Sequence, residues 1–521
     1  MRAGYFDVLT LAVLLVPAFQ LYLANRAGII GLYNDDAMYA VAGRILAEGG
    51  DPASIAHTRV APLIRFPIGF PAILAVLWQV GGRDFSVVPL WELTVSAATI
   101  AFLVSCYLLL TRAWGFNRLA AGAAVLVVGY QPLTVKYGAS VMSDLVFAAL
   151  AMGCLAIVEW VRRQPERRVP VFAAGLALGL TVLVRYAAAA AVGAAAGTLL
   201  LARRTRAALG LAVVAGAVVA PWVHWVVLHG LYGYVDEFRN GAPAMPFIES
   251  VKGATWLLLT QTLPGMVLPG AFYDGFTGAE APGVALFGPR TVVGLFISAW
   301  LLVAGFARSA EANRRLPALY ALMTLGLVCA WTGRFPGLAW DLQGRLIAPV
   351  APIMLAGAFE WALLQAAGLP IPRRAAMGLA ALAFAGWTAF DFGQINARQI
   401  AINSSLTDTF LKGLLAVKAY VSRMPPDVRV GAYYPFQMAF YMERPVESID
   451  ASARGLLAAR DRGIRVVVAM PRYRNEKDQM FAAVKLLLDT TPPQATVLFA
   501  PTDFMAVVHL PADPANPPAI R

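Results

Sequence analysis

Long apolar runs recur along most of this 521-residue chain and limit its fold more than any other feature. A helix needs about 20 apolar residues to cross the hydrocarbon core of a bilayer. Only 14% of the residues are charged, against about a quarter in soluble domains. The sequence therefore predicts a polytopic α-helical membrane protein with about 11 transmembrane helices. The eleven runs are 8–24, 90–111, 119–135, 145–161, 170–184, 188–202, 208–228, 291–307, 316–332, 346–366 and 375–392.

Arginine-rich joints between these runs predict the topology. Short basic loops collect on the cytoplasmic face of a membrane. The run 66–78, "FPIGFPAILAVLW", is too short to span, so we interpret it as an interfacial or re-entrant helix. With that choice, the basic joints fall at every second connection between spans. We therefore predict a protein of the inner or plasma membrane with its N-terminus in the cytoplasm. The joints are "TRAWGFNR", "RRQPERR", "ARRTR", "ARSAEANRR" and "PIPRR".

The opposite, extracytoplasmic face receives four loops and the C-terminal tail. The loops are 25–89, 136–144, 229–290 and 333–345. The tail, 394–521, alternates the strand-like runs "RVGAYY", "RVVVAM", "TVLFA" and "MAVVHL" with helical stretches, which indicates a small α/β domain. We therefore predict a transmembrane module over 1–393 and an extracytoplasmic α/β domain over 394–521. Because the net charge of +12 fits cytoplasmic loops of a membrane protein, we expect the bilayer and no nucleic acid as a partner.

Charged residues stand on the predicted outer face, and the basic ones among them run against the positive-inside trend. Asp35 and Asp36 lie in the first outer loop, and Asp144 lies at the start of a span. Ionisable groups beside membrane spans are costly and usually have a functional partner. Arginine suits phosphate, because its planar fork donates two hydrogen bonds at once. The basic residues of this face are Arg65, Lys136, Arg185 and Arg345.

Each of these residues also has a plain structural explanation. Asp144 can cap a helix N-terminus, where acids are stabilising. Arg185 can mark the tip of a hairpin between two short spans, and Arg345 can snorkel at the membrane boundary. His57 fits an ordinary loop histidine. Their grouping on one face is what favours a functional site.

Five short elements of the sequence resemble, in order, those of one family. They are "NDDAMYAVAGRIL", "RFPIGFPAILA", "YGASVMSDLVFAAL", "ALGLTVLVRYAAAA" and "QGRLIAPVAP". The chain resembles the GT-C fold glycosyltransferases, specifically the dolichyl-phosphate-mannose–protein mannosyltransferase and aminoarabinose transferase-like superfamily. Two positions depart from its pattern: Ile68 replaces a frequent proline, and Leu346 replaces a frequent tyrosine or phenylalanine.

The resemblance implies an inverting transfer of a sugar from a polyprenyl-phosphate donor to a hydroxyl acceptor on a glycan, glycolipid or protein. Asp35 matches the catalytic acid/base position of the family, with Asp36 and Asp144 as further acidic positions. Arg65, Arg185, Arg345 and Lys136 are expected to bind the donor phosphate, and Tyr39, His57 and Tyr137 the substrates.

The chemistry agrees with these residue types. A carboxylate within hydrogen-bond reach can take the proton of an acceptor hydroxyl, which is otherwise a poor nucleophile. Preorganised arginines stabilise the charge that develops on the leaving phosphate. We expect no cofactor, although a divalent ion between Asp35 and Asp144 stays an alternative. A secondary transporter also stays open, since such proteins carry intramembrane charges and interrupted helices.

Overall fold

The computed structural model describes residues 2–31, 35–50, 66–164, 167–228, 247–272, 288–332, 339–442, 444–469, 477–491, 493–502 and 505–512. These residues are mostly helical and include one small sheet. The helices are α1 (Arg2–Ala24), α2 (Asp35–Glu48), α3 (Gly69–Val80), α4 (Val88–Leu108), α5 (Arg118–Tyr130), α6 (Pro132–Gly138), α7 (Ser143–Arg163), α8 (Arg168–Val184), α9 (Ala189–Leu201), α10 (Thr205–Leu228), α11 (Phe247–Leu257), α12 (Leu263–Gly265), α13 (Pro269–Phe272), α14 (Pro289–Gly305), α15 (Arg315–Thr332), α16 (Ala339–Ile347), α17 (Ala351–Ala367), α18 (Ile371–Val421), α19 (Pro435–Met442), α20 (Ala453–Asp461) and α21 (Lys477–Leu488). The strands are β1 (Val430–Ala432), β2 (Val446–Ser448), β3 (Val466–Ala469), β4 (Thr496–Thr502) and β5 (Met505–His509).

All eleven predicted apolar runs coincide with helices, which confirms a multi-pass helical membrane protein. Two runs are each divided between two helices: 119–135 at Gln131 and 346–366 at 348–350. Among the described residues, 6 helices are long and apolar enough to cross a bilayer, or 7 if α5 and α6 form one bent span. The helices α8, α9, α14 and α17 are apolar but shorter. The number of spans predicted from the sequence, about 11, therefore stays a prediction.

The chain divides into two compact units, of which the first comprises residues 1–26, 67–69 and 92–401. Its helices pack in pairs, such as α8 with α10 and α14 with α17. A Cβ atom added to Gly357 on α17 would lie 2.2 Å from the carbonyl oxygen of Gly305 on α14. Small residues let helix backbones approach this closely, as is common between membrane helices.

A sharp break separates α5 from α6 within the first unit. The two helices meet at 62°. The Gln131 backbone is extended there, and the Gln131 side chain accepts a hydrogen bond from the Thr134 amide at 3.0 Å. Pro132 takes the first position of α6, where a proline costs no hydrogen bond. This break sets the direction of the short helix that carries Lys136 and Tyr137.

The second unit comprises residues 27–66, 70–91 and 402–521 and contains the sheet. The strand order is β2-β1-β3-β5-β4, with β1 parallel to β2 and β3, and β5 antiparallel to β3 and β4. Helices α19 and α20 follow β1 and β2 as crossover connections, which parallel strands require. The prediction of a small C-terminal α/β fold is thereby confirmed, and β2 is a strand that the sequence analysis missed.

Aromatic side chains join the first loop and the C-terminal segment into one core of the second unit. The ring of Phe440 on α19 lies 6.3 Å from that of Trp78 and 6.0 Å from that of Trp91. The two tryptophans are themselves 5.9 Å apart. Helix α2 also packs against α19. Helix α2 and the segment 78–91 therefore pack against α19, the helix that follows β1.

Candidate active site

Asp144 is the centre of a buried charged cluster in the first unit. It lies in the first turn of α7, and its side chain is 1% exposed. The Arg345 Nε and Nη2 atoms donate to the two carboxylate oxygens, each at 3.1 Å. This is the bidentate fork that gives arginine–carboxylate pairs their strength and fixed geometry.

Arg185 completes the cluster from a third segment. Helix α8 ends at Val184, and Arg185 follows it with an extended backbone. Its Nη1 atom lies 3.0 Å from Asp144 Oδ1 and donates to Ser143 Oγ at 2.9 Å. Two guanidinium groups thus share one carboxylate. The side chains of Arg185 and Arg345 are 11% and 8% exposed, so little water screens them.

Tyr137 and Lys136 stand beside this cluster on α6. The Arg345 Cζ atom lies 5.1 Å from the centre of the Tyr137 ring, and the Lys136 Nζ atom lies 5.0 Å from the same ring. Both distances are within the range of cation–π attraction. The structure therefore brings together five predicted residues from four parts of the sequence: Lys136, Tyr137, Asp144, Arg185 and Arg345.

A small cavity opens beside these residues. Its volume is about 20 Å³, and Gln131, Thr134, Tyr137, Asp144 and Arg345 are among the residues that line it. That is room for about one water molecule.

Gln343 is a residue of this region that the sequence analysis missed as a functional candidate. It is fully buried on α16, two positions before Arg345. Its Nε2 atom donates to the Ala254 carbonyl and to Thr332 Oγ1, both at 2.9 Å, and Thr262 donates to its Oε1 at 2.6 Å. Gln343 thus ties α16 to α11, to α15 and to the π-helical turn Leu258–Thr262, which fixes the helix that presents Arg345. The sequence signal that could have identified it is its place as the first residue of the element "QGRLIAPVAP".

Asp35 and Asp36 begin α2 in the second unit, and the structure gives them different surroundings. Asp36 is 1% exposed. Its Oδ2 accepts from the Gly31 amide and its Oδ1 from the Ala37 amide, each at 2.8 Å. Asp35, the first residue of the helix, is half-buried. Asp36 is therefore held by backbone donors, whereas Asp35 is the partly exposed first residue of the helix.

Tyr39 packs as a core aromatic of the second unit. It is 1% exposed, and its ring centre lies 4.5 Å from that of Phe66 and 4.9 Å from that of Phe70. The positions of His57 and Arg65 lie outside the described residues. Within the described ranges, no group of three or more His, Cys, Asp and Glu side chains is placed to hold a metal ion.

No protein-family model matches this sequence, and no curated protein matches it either. Solved structures, in contrast, share its fold over nearly the whole chain. ArnT from Cupriavidus metallidurans in the apo state superposes with a TM-score of 0.55 at 15% identity, covering 99% of this chain and 100% of that one. ArnT bound to undecaprenyl phosphate gives a TM-score of 0.57 at 14% identity, with the same coverage of 99% and 100%.

A second kind of protein has the same fold. The archaeal oligosaccharyltransferase AglB from Archaeoglobus fulgidus, in complex with an inhibitory peptide and a dolichol-phosphate, superposes with a TM-score of 0.52 at 13% identity. The match covers 97% of this chain and 74% of that one. The GT-C fold predicted from the five sequence elements is therefore confirmed.

Proposed function

We propose that this protein is a membrane glycosyltransferase. It moves a sugar from a polyprenyl-phosphate donor to a hydroxyl acceptor on the extracytoplasmic face, with inversion at the sugar carbon. One observation carries the proposal: Arg185 and Arg345 converge on a single buried point in a fold shared with ArnT, which was solved with undecaprenyl phosphate bound.

The positive charges of the cluster attract the leaving phosphate more strongly than the intact donor. Among the described side chains of this cluster, Arg185, Arg345 and Lys136 are positively charged and Asp144 is negatively charged. A donor phosphodiester has one negative charge, whereas a phosphate monoester has about 1.5 to 2 at neutral pH. The electrostatic attraction therefore grows as the glycosidic bond breaks, and attraction that grows toward the transition state accelerates a reaction.

The acidic residues take separate roles in this proposal. Asp35 is the general base, because a half-buried carboxylate at a helix N-terminus is accessible to an acceptor hydroxyl. Asp36 orients the N-terminus of α2 through its two backbone hydrogen bonds. Asp144 holds the two arginines in place until the donor phosphate shares them. Arg65 is assigned to binding of the donor phosphate. Tyr39, His57 and Tyr137 are assigned to contacts with the substrates.

The orientation in the membrane follows from the basic joints. We propose that the N-terminus is cytoplasmic and that loop 25–89, with the α/β segment, is extracytoplasmic, in the inner or plasma membrane. The hydroxyl acceptor then belongs to a cell-envelope glycan, a glycolipid or a protein.

Reconstitution in liposomes tests the proposal. The purified protein receives polyprenyl phosphates that carry labelled hexoses or pentoses, together with a cell-envelope glycolipid extract. Transfer of label with release of polyprenyl phosphate is expected. Flux of a solute across the liposome without any transfer would instead show a transporter. Intact-mass analysis of envelope glycans from cells with and without the protein then identifies the acceptor.

A further inference from the structure

Two side chains of α19 hold the segment that precedes the acidic helix. The Ile30 amide donates to the Tyr441 hydroxyl at 2.9 Å, and Gln437 Nε2 donates to the Ile30 carbonyl at 2.8 Å. All three residues are at most 2% exposed. Gln437 and Tyr441 are four positions apart, so they lie on one face of the helix. Both backbone polar groups of Ile30 are therefore fixed by α19.

Gly31, the next residue, connects Ile30 to Asp36. The Gly31 amide donates to Asp36 Oδ2, as described above. Gly31 has a φ of 103°, and a Cβ atom added there would lie 2.1 Å from Cδ of Gln437. Only glycine allows both the positive φ and so close an approach. A continuous set of contacts thus runs from α19 through Ile30 and Gly31 to Asp36.

The apolar contacts of α19 come from its aromatic rings, and the Tyr441 ring packs beside that of Phe85 with ring centres 5.4 Å apart. Phe440 supplies the packing against Trp78, Trp91 and Phe85. The polar groups of Gln437 and Tyr441 form hydrogen bonds with the backbone of Ile30, five positions before Asp35. Hydrogen bonds to backbone atoms fix the path of a segment whatever its side chains are.

We propose that Gln437 and Tyr441 are positioning residues for sugar transfer: they fix Ile30 and, through Gly31 and Asp36, the N-terminus of the helix that begins with Asp35. The C-terminal α/β segment then contributes to catalysis through α19 without contacting substrate. This inference rests on the proposed role of Asp35 as the base.

Kinetics of the full-length Tyr441→Phe variant in liposomes test the inference. The substitution removes only the hydroxyl and keeps the ring beside Phe85. We expect kcat to fall at least tenfold while the KM for the donor changes less than twofold, because the donor phosphate is bound elsewhere. Tyr420→Phe is the matched control, since the Tyr420 ring stacks on Phe499 at 4.9 Å in the same unit. It should retain wild-type kinetics.

Hydrogen exchange of the same proteins gives a readout that needs no activity. Amides of residues 27–31 and 35–37 should exchange at least tenfold faster in Tyr441→Phe than in Tyr420→Phe. Unchanged exchange would overturn the inference, and so would faster exchange with a wild-type kcat, which indicates a purely structural role. If Tyr441→Phe does not fold, Gln437→Met provides the same two measurements. A wild-type protein that transfers no sugar contradicts the proposed function, whereas the exchange result stands independently of it.

Discussion

Asp144 and Asp36 are both buried in the first turn of a helix, yet their negative charges are balanced by different groups. Asp144 faces the guanidinium groups of Arg185 and Arg345, whereas Asp36 faces the backbone amides of Gly31 and Ala37. Guanidinium groups at the ends of flexible side chains can turn toward another anion, but amides of an ordered backbone cannot. The first arrangement suits the exchange of ligands, and the second suits the fixed placement of a helix.

Replacing the base should have the largest effect and tests whether the acidic helix is catalytic at all. Asp35→Asn keeps the size of the side chain but removes the proton acceptor, and general-base catalysis contributes about 10²–10⁴-fold. We expect at least a hundredfold loss of kcat in the liposome assay, with the protein still folded and inserted in the membrane. Near-normal turnover would remove Asp35 from the mechanism.

Replacing Arg345 should have the second largest effect, and this effect should be on donor binding alone. Arg345→Lys keeps the charge but loses the planar pair of donors, and hydrogen bonds to charged groups contribute about 1.5–3 kcal/mol each. The KM for the donor should rise at least about tenfold, since 1.4 kcal/mol corresponds to a factor of ten. Titrating donor at saturating acceptor, then acceptor at saturating donor, separates the two constants.

Arg206→Lys, at an exposed arginine at the start of α10, is the matched control for this prediction. It should leave both constants unchanged. An equal rise in the acceptor and donor KM of Arg345→Lys would argue against a phosphate site at this cluster.

Asp36→Asn should have a smaller effect, and on the placement of α2 rather than on donor binding. The asparagine side chain has a single acceptor oxygen, so one of the two backbone amides loses its acceptor, and a buried donor left without one costs about 1–3 kcal/mol. We expect a lower unfolding midpoint and a kcat reduced several-fold, with the donor KM unchanged. Asp450→Asn, at an exposed aspartate of the same unit, serves as the control. If the donor KM rises instead, the distinction drawn between the two aspartates is wrong.

The smallest expected effect is a pH dependence confined to the second unit. Burial of His509 on β5, and then the charge of nearby Arg465, lower the pKa of its imidazole below the usual value of about 6.5. The folded state therefore disfavours protonation, and stability present above about pH 6.5 is lost as the pH falls toward the folded pKa. Thermal unfolding followed from pH 7.5 to 5 should show this loss. His509→Gln should flatten the curve, and an identical slope in the variant would contradict the assignment.

The helices and the charged cluster were predictable from the sequence to different degrees. The apolar runs proved helical apart from breaks within 119–135 and 346–366, because the period and length of such runs determine secondary structure directly. Lys136, Tyr137, Asp144, Arg185 and Arg345 were selected as charged or aromatic residues out of place near membrane spans. Their pairing was not predictable, since Asp144 and Arg345 are separated by 201 positions and only helix packing brings them together.

The second unit was harder to predict for the same reason. The strands β3 and β5 were evident from runs of β-branched residues. The association of α19 with α2 and the contacts of Gln437 and Tyr441 had no sequence signal, because ordinary glutamine and tyrosine residues form them. The break between α5 and α6, in contrast, is encoded locally by Gln131 and Pro132.

The sequence by itself determined a multi-pass helical membrane protein, the residues that could carry its chemistry, and the small C-terminal α/β fold. These follow from composition, periodicity and local turn chemistry, which act over a few residues. Only the tertiary structure decided that Asp144 pairs with two arginines, whereas Asp36 accepts hydrogen bonds from backbone amides. It also decided that α19 packs against the acidic helix α2. Such assignments depend on which distant groups meet once apolar surfaces are buried, and no short stretch of sequence contains that information.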